Sequence, residues 1–90
     1  MENSQIRDYI PVTNRAIYMN TGWAGPSPTF IQSRISEILE SEASMGPGTQ
    51  AALELGEHLS NEAKNETARL LHAKPEEILL THSTTEGVNI

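Results

Sequence analysis

Met45-Gly46-Pro47-Gly48 limits how this chain can fold more than any other stretch. A proline between two glycines stops a helix: the ring removes an N–H and clashes with the preceding turn, and glycine favours the left-handed residue that follows a helix end. A stretch with helical periodicity stands on each side. Upstream, Ile31, Ile35, Ile38 and Leu39 recur three or four apart, with Ala43 next in line, and Gln32, Ser36, Glu37 and Glu40 fall largely between them. Pro28 suits a first helical position, with Ser27 as its cap. The pattern predicts a helix over 28–44. Downstream, Ala52, Leu55, Leu59, Ala63, Leu70 and Leu71 form a second stripe, with Glu66 or Thr67 filling the gap. This predicts a longer helix over 49–73, closed by Lys74-Pro75. Gly56 weakens it by about 1 kcal/mol relative to alanine and permits close packing against a neighbour.

The flanks read differently. Residues 1–16 are polar and interrupted by Pro11, and read as an irregular arm. Ile17-Tyr18-Met19 is a short β-prone run, and residues 20–28 are rich in turn formers, including Gly22 and Gly25. Beyond the second helix, Glu76-Glu77 is a polar turn. Ile78-Leu79-Leu80-Thr81 then reads as a brief strand, continuously apolar as in a parallel sheet covered on both faces. Residues 17–19 are the only other candidate strand, so a strand at 78–81 leaves backbone groups in want of partners. Ser83-Thr84-Thr85-Glu86 is a capping box that opens a third helix, with four residues to follow. The expectation is a mainly α chain with two long helices, a short strand and the start of a third helix, forming the N-terminal piece of a longer protein.

Composition narrows the function classes. Ninety residues suit one small domain, and with 37% apolar residues and only one Trp, two Tyr and one Phe, little core is on offer. Twelve acidic against six basic residues disfavour nucleic acid and anionic membrane as partners. Without cysteine there are no disulfides, zinc-thiolate sites or thiol chemistry. No basic start followed by an apolar run marks a signal peptide, no apolar stretch approaches membrane-spanning length, and the expected location is cytoplasmic. The sequon Asn65-Glu66-Thr67 reads as chance in that setting.

The order strand, Ser/Thr-rich turn, helix start has chemical content. The first amides of a helix lack intrahelical partners and carry the positive end of its dipole, so with the hydroxyls of Thr84 and Thr85 they can hold a monophosphate. The alternative is that Ser83, Thr84 and Thr85 only cap the helix. There is no P-loop pattern. Lys64 and Lys74 read as surface lysines and Glu76-Glu77 as solvated. His58 and His72 lie at the edge of the second helix without a matched second metal ligand, and His82 neighbours the turn.

Residues 75–89, PEEILLTHSTTEGVN, resemble the "PEEIxxTxxxTEGxN" block of class V aminotransferases, the cysteine desulfurase-like enzymes of PLP-dependent fold type I. Residues 18–28, YMNTGWAGPSP, look like that family's "YLDNAATGPLP" opening, and the spacing between the blocks also suits it. The resemblance covers about residues 16–90 and implies an α/β parent enzyme. It implies that Thr85, with Thr84 and Ser83, binds the phosphate of pyridoxal 5'-phosphate; many relatives have glycine at the position of Ser83. It implies that Asn20, Gly22, Trp23 and Ala24 border the substrate pocket, Trp23 replacing a small residue. The implied parent is a homodimer acting on an amino acid as a desulfurase, lyase, epimerase or transaminase, its catalytic lysine lying beyond residue 90, so that the isolated chain is inactive. The implied organisation is an arm and substrate-side loop over 1–27, a helical hairpin over 28–74, and the first strand and phosphate-binding helix start over 75–90. A reading from a different class is a small self-associating helical interaction module without catalysis, whose amphipathic helices bury their stripes against a second copy.

Overall fold

The structure, a computed structural model, describes residues 2–90. The chain divides into two units, Met1–Ser44 and Met45–Ile90.

The first unit opens with α1 (Asn3–Asp8) and a 3-10 turn (Pro11–Asn14) packed against it. Glu2 N–H donates to Gln5 Oε1 at 3.0 Å, and the Thr13 hydroxyl donates to the Ile10 carbonyl at 2.8 Å. Residues 2–16 are therefore more ordered than their composition predicts. The reason is nonlocal: Thr29 N–H donates to the Tyr9 carbonyl at 2.8 Å, and the Tyr9 and Phe30 rings meet edge to face at 5.4 Å. α2 (Thr29–Met45) then runs 17 residues, with the Pro28 carbonyl accepting from Gln32 N–H at 3.2 Å.

In the second unit Gly46 takes φ +88°, the left-handed conformation expected just past a helix end. Its carbonyl accepts from both the amide and the hydroxyl of Thr49, and Thr49 Oγ1 in turn accepts from Ala52 N–H at 3.3 Å, capping α3 (Gln50–Leu71). α3 ends on His72, itself left-handed at φ 55°, and Ala73 N–H closes the end onto the Ala68 carbonyl at 2.9 Å. A 3-10 turn (Pro75–Glu77) packs back on α3; Lys74 N–H donates to the Glu77 carboxylate at 2.8 Å. α4 (Thr84–Val88) follows, capped by Ser83.

The strands expected at 17–19 and 78–81 do not form; no strand occurs among the described residues. Ile78 N–H turns back to the Pro75 carbonyl and His82 N–H is taken by the Glu86 carboxylate, while Leu79 and Leu80 remain 65% and 45% exposed. An extended segment becomes a strand only beside another, and none lies beside this one. The short strand and the α/β architecture are therefore corrected to an all-helical chain. Ala68, 2% exposed, is the only buried hydrophobic residue among the described residues.

Candidate interaction surface

α2 carries the clearest apolar face. At 100° per residue Ile31, Ile35, Ile38 and Leu39 fall within one stripe, whereas Phe30 lies on another side of the helix, between Arg34 and Glu37. Ile38 is half-buried, whereas Phe30, Ile31, Ile35 and Leu39 are 55%, 44%, 53% and 59% exposed. The ion pair Arg34–Glu37, 3.4 Å apart and largely exposed, lies away from the stripe centre. Glu42 is the one carboxylate near the stripe, at its C-terminal end.

The same unit holds a second exposed set. Ile17, Met19 and Trp23 are 90%, 89% and 88% exposed. The loop that carries them is held, not loose. Asn20 O accepts from Trp23 N–H and Ala24 N–H at 3.0 and 3.1 Å, and the Tyr18 hydroxyl donates to the Ala24 carbonyl at 2.6 Å. Gly22 has open space around its α-carbon. Asn20, Gly22, Trp23 and Ala24 thus share one turn, which presents Trp23 outward. Large apolar side chains inside a turn-rich stretch were the sequence signal for this set; only Trp23 among them stands out by type.

In the same unit, Ile6, Tyr9, Ile10, Pro28 and Phe30 line a mainly apolar cleft of about 180 Å³. A neighbouring cleft, lined by Gln5, Asp8, Tyr9 and Thr29, shares Tyr9 with it.

In the second unit Ser83, Thr84 and Thr85 come together at the start of α4. Ser83 Oγ accepts from Glu86 N–H at 3.2 Å, and the Glu86 carboxylate accepts from the amide of His82 and meets its Nδ1 at 3.0 Å. The Thr85 carbonyl accepts from Asn89 Nδ2 at 2.7 Å. These are the contacts of a capped helix end, and the helix has only five residues. The clefts around Glu66 to His72, around Gln5 to Thr29 and around Ile6 to Phe30 are lined by none of the three. Lys64 and Lys74 lie on α3 and just before the turn at Pro75. Among the described residues no group of three or more His, Cys, Asp or Glu could hold a metal ion, and no helix is long and apolar enough to cross a membrane.

No family model matches the chain, and searches of curated proteins and of solved structures found no similar protein. The resemblance to class V aminotransferases and cysteine desulfurase-like enzymes is thereby corrected. Fold type I rests on a β-sheet whose strand ends hold the phosphate-binding turn, and the described residues supply no strand. Pyridoxal 5'-phosphate as cofactor, a PLP-dependent transferase or lyase as parent, and the desulfurase, lyase, epimerase or transaminase chemistry fall with it, because residues 83–85 line none of the three clefts above and no strand lies beside them among the described residues.

Proposed function

We propose that this chain is a small helical interaction module that associates with a second copy of itself through the apolar face of α2. The observation that carries this reading is the exposure of Ile31, Ile35 and Leu39, about half each, along one face of a regular 17-residue helix. Covering a large apolar side chain fully contributes roughly 1.5–3 kcal/mol, so three half-covered ones leave about 2–4 kcal/mol unrealised in the single chain. A helix face packed on its own copy about a two-fold axis needs no second gene product and is self-complementary by construction.

Sedimentation equilibrium from micromolar to millimolar chain tests the proposal. The expected result is a reversible monomer–dimer equilibrium. Ile35→Asp, which places a carboxylate in the stripe, weakens it at least about tenfold, because an unpaired charge is costly to desolvate. Helix content by circular dichroism should hold, since Ile35 is exposed in the monomer. A chain that stays monomeric throughout the range overturns the proposal.

A further inference from the structure

We propose that two copies pair through α2 in antiparallel fashion, with Arg34 of each reaching Glu42 of the other. The inference rests on the self-association reading and adds to it a direction and a reciprocal contact. Ile31, Ile35, Ile38 and Glu42 follow one another at intervals of four, three and four residues, the spacing of a seam between two packed helices. At 100° per residue Glu42 falls about 20° from Ile31, within the stripe and not at its border. It is exposed and makes no hydrogen bond or ion pair among the described residues. Arg34 flanks the same seam, about 60° from Ile31. It is the single basic residue of α2, whose acidic residues Glu37, Glu40 and Glu42 run from its middle to its C-terminal end.

This distribution separates the two ways of packing α2 on its copy. A parallel pair sets Glu42 against Glu42 inside the seam and the acidic half of one helix beside that of the other. Two carboxylates that face each other where water is leaving are costly. An antiparallel pair with Ile35 of one copy opposite Ile38 of the other sets Glu42 across from Ile31. Arg34 of that other copy is then three residues along, about 4.5 Å on the helix axis, within reach of a long side chain. The two-fold axis makes the contact twice. The antiparallel pair also runs the helix dipoles head to tail and moves Glu42 from beside its own negative helix end toward the positive end of the other.

The complementarity is that of the chain with itself: one helix carries both the acidic end and the basic flank, and a reversed copy brings them together. The competing pair within the chain is weak. Arg34 and Glu37 meet at 3.4 Å with both side chains more than half exposed, and such surface pairs contribute little. Burial of Ile31, Ile35 and Leu39 supplies the affinity, and the charges choose the direction.

The chain has no cysteine, so introduced thiols report the contact alone. Ile31→Cys and Glu42→Cys chains are mixed in equal amounts, at a concentration where the dimer forms, and gently oxidised. The expected product is the mixed disulfide, with little of either like-with-like product. Eleven residues separate the two positions, about 16 Å along the helix, so an antiparallel pair holds two identical thiols far beyond the ~4.4–6.8 Å Cα span of a disulfide. Arg34→Glu and Glu42→Arg are then compared singly and together by sedimentation equilibrium. The double variant keeps the net charge of −6, and its dimer is expected within about threefold of the unaltered one and at least about tenfold tighter than the two single effects multiplied. Residues 34 and 42 of one chain are about 12 Å apart along the helix, beyond the reach of pairs three or four apart, so that recovery reports the contact between copies. Like-with-like disulfides in place of the mixed one overturn the antiparallel direction and leave the α2 reading standing. Single effects that simply multiply in the double variant overturn the Arg34–Glu42 contact. A chain with no dimer at any concentration overturns both readings.

Discussion

Two residues outside the helices decide where the helices stop. Gly46 holds φ +88°, and a β-carbon there would stand 3.2 Å from Thr49 Cγ2, in the residue that caps α3. Gly46→Ala therefore meets the left-handed penalty of about 1–2 kcal/mol together with a contact that must give. Thermal unfolding followed by circular dichroism should show destabilisation of that order. His72 is the reverse case. It holds φ 55° without being glycine, so it already carries that penalty. His72→Gly is expected to stabilise the end of α3 by about 0.5–1 kcal/mol, somewhat less than the steric relief because glycine also loses more backbone freedom on folding. The same melt reads it, and loss of stability would show that the His72 side chain contributes something its exposed position does not display. Gly46 was legible in the sequence because glycine before proline has few other uses. His72 was not: Lys74-Pro75 pointed to a helix reaching Ala73, whereas α3 ends at Leu71 with the Ala73 amide bonded back to Ala68.

Elements were legible to the extent that their causes are local. α2 and α3 appear within two residues of their predicted bounds, because the periodicity and the stop signals that make them lie inside them. α1 was invisible: six residues hold no periodicity, and what steadies it is the contact of Tyr9 with Phe30, more than twenty positions on. The strand at 78–81 failed for a related reason. Ile, Leu and Leu have the composition of a buried strand, but a strand is a relation between two segments, and its neighbour is not specified by its own residues. Ser83 caps α4 as its sequence indicates, but the Glu86 carboxylate takes the amide of His82 and not that of Ser83, and the phosphate site built on this turn needed the missing sheet. α4 depends on that cap more than a long helix would, since five residues fall far below the ~12–15 at which isolated helices become marginal. Ser83→Ala removes the acceptor for Glu86 N–H, a loss of roughly 1 kcal/mol, comparable to what holds so short a helix together. NMR secondary shifts over 84–88 should collapse to coil values while those of α3 stay unchanged; persistence of helical shifts would place the support for α4 in the Glu86–His82 contacts instead.

At the scale of the whole molecule, the chain's charge separates a second copy from any other occupant of the α2 face. Each chain carries a formal net charge of −6 at neutral pH, so two copies repel while their apolar faces attract. The repulsion is long-ranged and screened by salt, over about 10 Å at 0.1 M and about 3 Å at 1 M, whereas burial of Ile35 and Leu39 is not weakened by it. Self-association should therefore tighten severalfold as sodium chloride rises through that range. Association of this acidic chain with a basic partner would loosen over the same range, because salt would screen an attraction instead. The sign of the salt dependence, measured by sedimentation on the purified chain and on its mixtures with candidate basic proteins, thus tests the identity of the occupant. Weakening of the self-association with added salt would mean that charge pairs, and not the apolar stripe of α2, hold the copies together.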